Sequence, residues 1–121
     1  MITAEKLLEN IVKVSDFHKA SDIRIYKVQD TSVADYLLLI SASNIIHIKS
    51  LLETLTKKVG ELLKKNTNPD FYSDLRKSGD PASGWIILDL NSIIIHILNE
   101  ETRELFELNQ LFEKRGIIFH C

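Results

Sequence analysis

The chain has 121 residues, 45% of them hydrophobic and 26% charged, with a formal net charge of −2 at neutral pH. That length suits one globular domain with a core that needs no staples, spanning residues 1–121. A charge so near zero gives no basic field to gather phosphates, which argues against a general nucleic-acid binder and leaves room for a basic protein partner.

Thr3 can cap a first helix, because Ala4, Leu7, Leu8, Ile11 and Val14 follow it at helical spacing. The first ten residues carry Glu5, Lys6 and Glu9 within that amphipathic pattern rather than an apolar run, so no secretory signal is expected. Residues 23–28 read as a strand of moderate exposure and residues 29–33 as a polar loop. Residues 36–41 are almost unbroken apolar, the mark of a strand buried on both faces. Ser43 is a fitting cap for a long second helix whose stripe runs Ile45, Ile48, Leu51, Leu52, Leu55, Val59, Leu62 and Leu63. Lys57, Lys58, Lys64 and Lys65 make its later half basic, which suits a helix C-terminus and by default is a solvated face. Residues 66–69 break that helix, residues 71–75 are a short strand or irregular, and residues 77–84 are a loop by composition. Residues 85–90 and 93–98 are two strands joined by a tight Asn91-Ser92 turn. Asn99 can cap a last helix running to about Arg115, with Leu105, Leu108, Leu111 and Phe112 as its apolar stripe and Gly116 as its stop. The order of elements predicts an α/β fold, a mixed β-sheet flanked by helices, with the second helix inside a crossover connection. No apolar run is long enough to span a bilayer, and the one cysteine, Cys121, cannot form an internal disulfide, so no membrane contact and a cytoplasmic protein are expected.

The hairpin carries the most functional information. A two-residue turn pairs Leu90 with Ile93, Asp89 with Ile94, Leu88 with Ile95, Ile87 with His96 and Ile86 with Ile97. Side chains alternate between the faces of a strand. One face is then Ile86, Leu88, Leu90, Ile93, Ile95 and Ile97, which must be core. The other is Trp85, Ile87, Asp89, Ile94, His96 and Leu98. That mixture of a large aromatic, two titratable groups and aliphatics fits a partner surface, since aromatics are enriched in interface hot spots. The competing reading is that a helix covers this face and Trp85 is ordinary core.

Catalytic and metal patterns are sparse. There is no Walker loop and no GxGxxG, and His18, His47, His96 and His120 are scattered without the spacing of a zinc motif. Ser41 and Ser43 end a strand before a helix, yet the glycines of a nucleophile elbow are missing. Asp35 and Asp89 are isolated carboxylates, each more often solvated or capping than metal-binding. The expectation is a protein that is not an enzyme, with no metal and no cofactor.

The stretches Lys19-Ala20-Ser21-Asp22-Ile23, Thr31-Ser32-Val33-Ala34-Asp35-Tyr36 with the strand after it, and Trp85-Ile86-Ile87-Leu88-Asp89 followed by Ile94-Ile95-His96 resemble the Iojap/ribosomal silencing factor family. Glu101, Arg103 and Phe106-Glu107-Leu108 continue the likeness, which covers nearly all of residues 2–112. Ala42 stands where the family has glycine, and Asn91-Ser92 replaces its glycine-acidic turn. The resemblance implies a nucleotidyltransferase-like fold without the catalytic motif. It implies binding to the large ribosomal subunit through its ribosomal protein fourteen, obstruction of small-subunit joining, and lowered translation when nutrients are short. It also makes a homodimer plausible for the free protein. Trp85, Ile87, Asp89 and His96, with Asp35, Tyr36 and Glu101, are the expected partner-binding residues. An active nucleotidyltransferase is the alternative, but Ser41-Ala42-Ser43 lacks the glycine of such a site and the chain contains no Asp-x-Asp pair for two-metal chemistry. Direct sequence-specific nucleic-acid binding is not expected.

Overall fold

The computed structural model describes residues 2–28, 34–64, 68–113 and 116–120, with side chains up to 110 apart from those of 72–74. Helix α1 spans Ala4–Phe17, strand β1 Ser21–Val28, strand β2 Tyr36–Ala42 and helix α2 Ile45–Lys64. Strands β3 (Phe71–Asp80), β4 (Trp85–Asn91) and β5 (Ile93–Asn99) follow, then helices α3 (Glu100–Leu105) and α4 (Leu108–Glu113) and strand β6 (Gly116–His120). The strands form a six-stranded mixed sheet in the order β3-β4-β5-β2-β1-β6, with β2 and β5 parallel and the remaining pairs antiparallel. The connection from β2 to its parallel neighbour runs through α2, β3 and β4. The expectations for residues 29–33, 65–67, 114–115, Cys121 and the side chains of Leu111 and Phe112 lie outside the described residues.

Helices α1 and α2 cover one face of the sheet. Leu7, Leu8 and Ile11 from α1 and Ile48, Leu51, Leu55, Val59 and Leu63 from α2 close over Leu38, Ile40 and the apolar face of the hairpin. The second face holds a smaller cluster, Tyr26, Leu39, Leu98 and Leu108, under α4. Strand β2 therefore contributes to cores on both sides, as its unbroken apolar run requires.

Local chemistry sets the ends of the elements. The Thr3 hydroxyl accepts from the Lys6 amide at 3.1 Å and so caps α1. For α2 the expected cap, Ser43, is replaced by its neighbour: the Asn44 side chain accepts from the His47 amide at 2.8 Å. Ser43 instead donates its backbone N–H to His47 Nδ1 at 2.9 Å. With Nδ1 an acceptor, His47 Nε2 carries the proton and donates to the His18 carbonyl at 2.7 Å, tying the β2–α2 corner to the end of α1.

Three further expectations need correction. Residues 77–80 are strand rather than loop, because Arg76, Lys77, Ser78 and Gly79 pair with Asp89, Leu88, Ile87 and Ile86. Ladder pairing overrides a composition rich in serine, glycine and charge, and charged residues are well placed on the edge strand β3. Second, the last helix is two short helices, with Glu107 between them at φ +48. Third, Gly116 opens strand β6 against β1 instead of ending a helix. The break has a packing cause. Arg103 and Leu108 are 5% and 2% exposed. In a continuous helix two residues five apart would point about 140° away from each other, so only a kinked path lays both on the sheet. Leu105, expected in the apolar stripe, is consequently 77% exposed.

Arg103 holds this segment down. Its Nη1 donates to the Asp22 carbonyl and the Ser41 hydroxyl, each at 2.7 Å, and its Nε to Asn109 Oδ1 at 2.8 Å. Nη2 lies 3.1 Å from the Asp22 carboxylate. Burial pushes the Asp22 carboxyl up, but Arg24 and Arg103 outweigh it and keep its pKa below the ordinary value. One guanidinium thus joins β1, β2, α3 and α4. Arg103→Ala should destabilise the protein by about 2–3 kcal/mol, from the lost charge-assisted hydrogen bonds to the Asp22 carbonyl, Ser41 and Asn109. Ser41→Ala should cost about 1 kcal/mol, the worth of one hydrogen bond. Denaturant titration measures both; an Arg103→Ala variant as stable as the parent would refute the clamp.

Candidate protein-docking face

The hairpin pairs in the expected register, with Trp85 opposite Leu98, Ile87 opposite His96 and Asp89 opposite Ile94. The turn enforces it. Asn91 takes φ +82, which a two-residue hairpin turn requires at its first position and asparagine tolerates. Its amide donates to Asp89 Oδ1 at 2.8 Å and its side chain to the Asp70 carbonyl at 3.0 Å. Ile86, Leu88, Leu90, Ile93, Ile95 and Ile97 are fully buried, whereas Trp85, Ile87, Asp89, Ile94 and His96 are half-buried on the opposite face. The short helices cover part of that face. Leu98 is core beneath α4, and Trp85 rests against that core with part of its surface open.

Trp85 Nε1 donates to His96 Nδ1 at 3.1 Å, with the ring centroids 5.9 Å apart. On its other side Trp85 meets Phe106, centroids 5.6 Å apart and planes tilted by 48°. Phe106 is 55% exposed and Leu105 beside it 77%. Both come from the kinked α3–α4 segment. Glu100, Glu101, Glu104 and Glu107 are exposed on that segment, and Glu100, Glu104 and Glu107 line a hollow with Asp22 and Arg103. The result is an apolar patch of Trp85, Leu105 and Phe106 on a segment rich in exposed carboxylates. Sequence reasoning placed Leu105 in a core stripe and gave Phe106 no role at the face; the signal available was that Arg103 and Leu108 cannot share one side of a regular helix.

The remaining expected residues divide. Glu101 lies at the Trp85 end of the face, in the first turn of α3. Asp35 lies at the opposite end, where its carboxylate accepts from the Ser92 hydroxyl at 2.9 Å and its amide donates to the Ser92 carbonyl at 2.9 Å. Tyr36 pairs with Ile93 and packs with the large core, so the structure does not bring it onto the Trp85 face. Burial first, then the nearby Glu5 and Asp35 carboxylates, raise the Tyr36 pKa. Among the described residues no group of three His, Cys, Asp or Glu side chains could hold a metal, and no helix is long and apolar enough to cross a membrane.

The architecture is that of an α/β domain with α1 and α2 on one side of a mixed sheet and, on the other, two short helices beside a half-open hairpin face. A crystal structure of a protein from Chromobacterium violaceum has the same fold, with a TM-score of 0.77 at 14% identity over 99% of this chain and 94% of that one. The chain belongs to the family described as "Ribosomal silencing factor during starvation", whose model matches residues 1–118, in agreement with the motif resemblance. It is similar to the "Ribosomal silencing factor RsfS" of Haemophilus influenzae, 23% identical over 110 residues that make up 88% of this chain and 97% of that protein. It is also similar to the mouse "Mitochondrial assembly of ribosomal large subunit protein 1", 27% identical over 110 residues. That match covers 90% of this chain but 46% of the mouse protein, so the chain spans about half the length of that relative. The family role is regulatory and ribosome-associated.

The His96 ring imposes a pH dependence. Burial lowers its pKa from 6.5 to about 4, so the folded protein holds it neutral. The unfolded chain takes up this proton below about pH 6.5 and the folded one only near 4. Stability is therefore intact above pH 6.5 and falls through the window between the two values, by at most about 1.4 kcal/mol for each pH unit. His96→Gln should flatten that part of the stability–pH curve. Melting curves at pH 7 and pH 5 check it, and parallel losses in parent and variant would refute the assignment.

Proposed function

We propose that this domain docks on the large ribosomal subunit through that subunit's ribosomal protein fourteen and, once bound, sterically blocks small-subunit joining, so repressing translation when nutrients are short. It acts in the cytoplasm by occlusion and not as an enzyme. The observation that carries the reading is the apolar patch of Trp85, Leu105 and Phe106, open to solvent on a segment that carries four exposed glutamates. Ribosomal proteins are basic because they lie against RNA phosphates, so those glutamates have the right sign for such a partner. Half-buried aromatics supply hot-spot area at low entropy cost. Ile87, Asp89 and His96 extend the contact along the sheet, and Glu101 and Asp35 stand at its two ends. A second copy of the chain competes for this face when the protein is free.

Trp85→Ala and Phe106→Ala should each weaken binding to purified large subunits by about 2 kcal/mol or more, and both should lose inhibition of subunit joining in a light-scattering assay. Phe106 makes the decisive test, because its exposed side chain can be cut without opening the core. A folded Phe106→Ala variant with unchanged binding would overturn the proposed face. Glu101→Lys with Glu104→Lys should lower the association rate several-fold at low salt and leave dissociation nearly unchanged, since rim charges steer encounter. Stopped-flow association at two salt concentrations checks this; rates insensitive to both salt and charge reversal would show docking to be purely apolar.

A further inference from the structure

On the side of the sheet away from Trp85, α1 and α2 lie next to each other and leave a groove between them. Lys13 and Phe17, four apart on α1, line one wall, and Thr54, Lys57, Lys58 and Glu61 line the other. The second set falls at i, i+3, i+4 and i+7, so it is one stripe of α2 facing the groove. Phe17 is 81% exposed, the most open large hydrophobic side chain among the described residues. Its ring stands edge-on to the His18 ring in a T-shaped pair, centroids 5.3 Å apart. This apolar ring at the end of an amphipathic helix is not part of the core cluster that contains Leu7, Leu8 and Ile11. The acidic groups facing the lysines are Glu61 and, 3.1 Å from Lys13, Glu9. Lys57 and Lys58 thus make the α2 wall locally cationic in a chain whose net charge is −2.

We propose that this groove is a sequence-independent contact for single-stranded RNA, with the lysines on the phosphates and Phe17 as a platform for one base. A positively charged groove beside an exposed aromatic ring is the arrangement that tracks a nucleic-acid backbone, because every base has a face to stack. Lysine binds phosphate as a flexible point charge and needs no fixed fork geometry. That the RNA is ribosomal rests on the proposed docking to the large subunit, on which Trp85 and this groove would hold different components of the particle.

The test uses the full chain and two ligands, purified large subunits and a fluorescein-labelled oligouridylate twelve-mer. Fluorescence anisotropy of the parent should show oligouridylate binding whose logarithmic affinity falls against log salt with a slope of about −2, as for three phosphate contacts. Lys57→Glu with Lys58→Glu should weaken it about tenfold or more, the milder Lys57→Gln with Lys58→Gln less, and Phe17→Ala about fivefold. Trp85→Ala should leave oligouridylate binding intact while weakening the large subunit. No salt-dependent binding by the parent, or binding unaltered in the charge-reversed variant, would overturn the groove. Equal or tighter binding of a polyglutamate peptide would also overturn it, by assigning the lysines to an acidic protein. Loss of large-subunit binding by the parent would remove the ribosomal reading alone, because the oligouridylate arm judges the groove independently.

Discussion

The register of the β4–β5 ladder is the constraint on which the candidate face depends. A strand has period two, so a slip of one residue would carry Trp85, Asp89 and His96 into the core and push four isoleucines and two leucines to solvent. The turn removes that freedom. Asn91 supplies the positive φ, its amide closes onto Asp89, and Ser92 is held by Asp35 and by the Asp70 carbonyl. Asp35 and Asp89, which resemble functional carboxylates in the sequence, thus take part in fixing the register. The same geometry leaves their charge near the candidate face, so a structural role and the proposed one do not compete.

The second requirement is that α3 and α4 lie against the sheet without covering Trp85. A regular amphipathic helix would bury a continuous stripe and shield the hairpin face. The kink at Glu107 separates the tasks: Arg103 and Leu108 anchor the segment, and the intervening Leu105 and Phe106 are lifted into solvent next to Trp85. A buried arginine is costly unless its donors are used. Here the donors reach from α3 to three other elements, β1, β2 and α4.

These two devices differ in how far the sequence reveals them. Hairpin register follows from alternation and a two-residue turn, both local, so the division into a buried and a half-open face could be read directly from residues 85–98. The capping threonine and asparagine at α1 and α3 are equally local. Strand β6 and the end of β3 were hidden, because their strand character comes from ladder partners distant in sequence, β1 for one and β4 for the other. The kink was hidden for a related reason. Leu105, Leu108, Leu111 and Phe112 have helical spacing, and only the demand of Arg103 for Asp22 and Ser41, some 60 to 80 residues away, reveals that one of them must point outward. Tyr36 lies one residue beyond Asp35 and therefore faces the helices, a consequence of strand alternation that motif resemblance alone does not convey.

A net charge of −2 conceals how the ionic groups are distributed. Glu100, Glu101, Glu104 and Glu107 are gathered where Phe106 emerges, while Lys57 and Lys58 stand beyond the sheet on α2. A helix layer alone is about 10 Å thick, and the Debye length at physiological salt is about 8 Å. Each surface is thus screened from the other by more than one Debye length, and a partner meets the local field instead of the sum. The near-neutral total argues against a polyanion spread over the whole surface, but it says little about a single groove. In the proposed docking on a particle made of basic protein and acidic RNA, opposite local fields on opposite sides of one sheet would give orientation as well as affinity: docking backwards would set carboxylates against phosphates and lysines against a cationic protein.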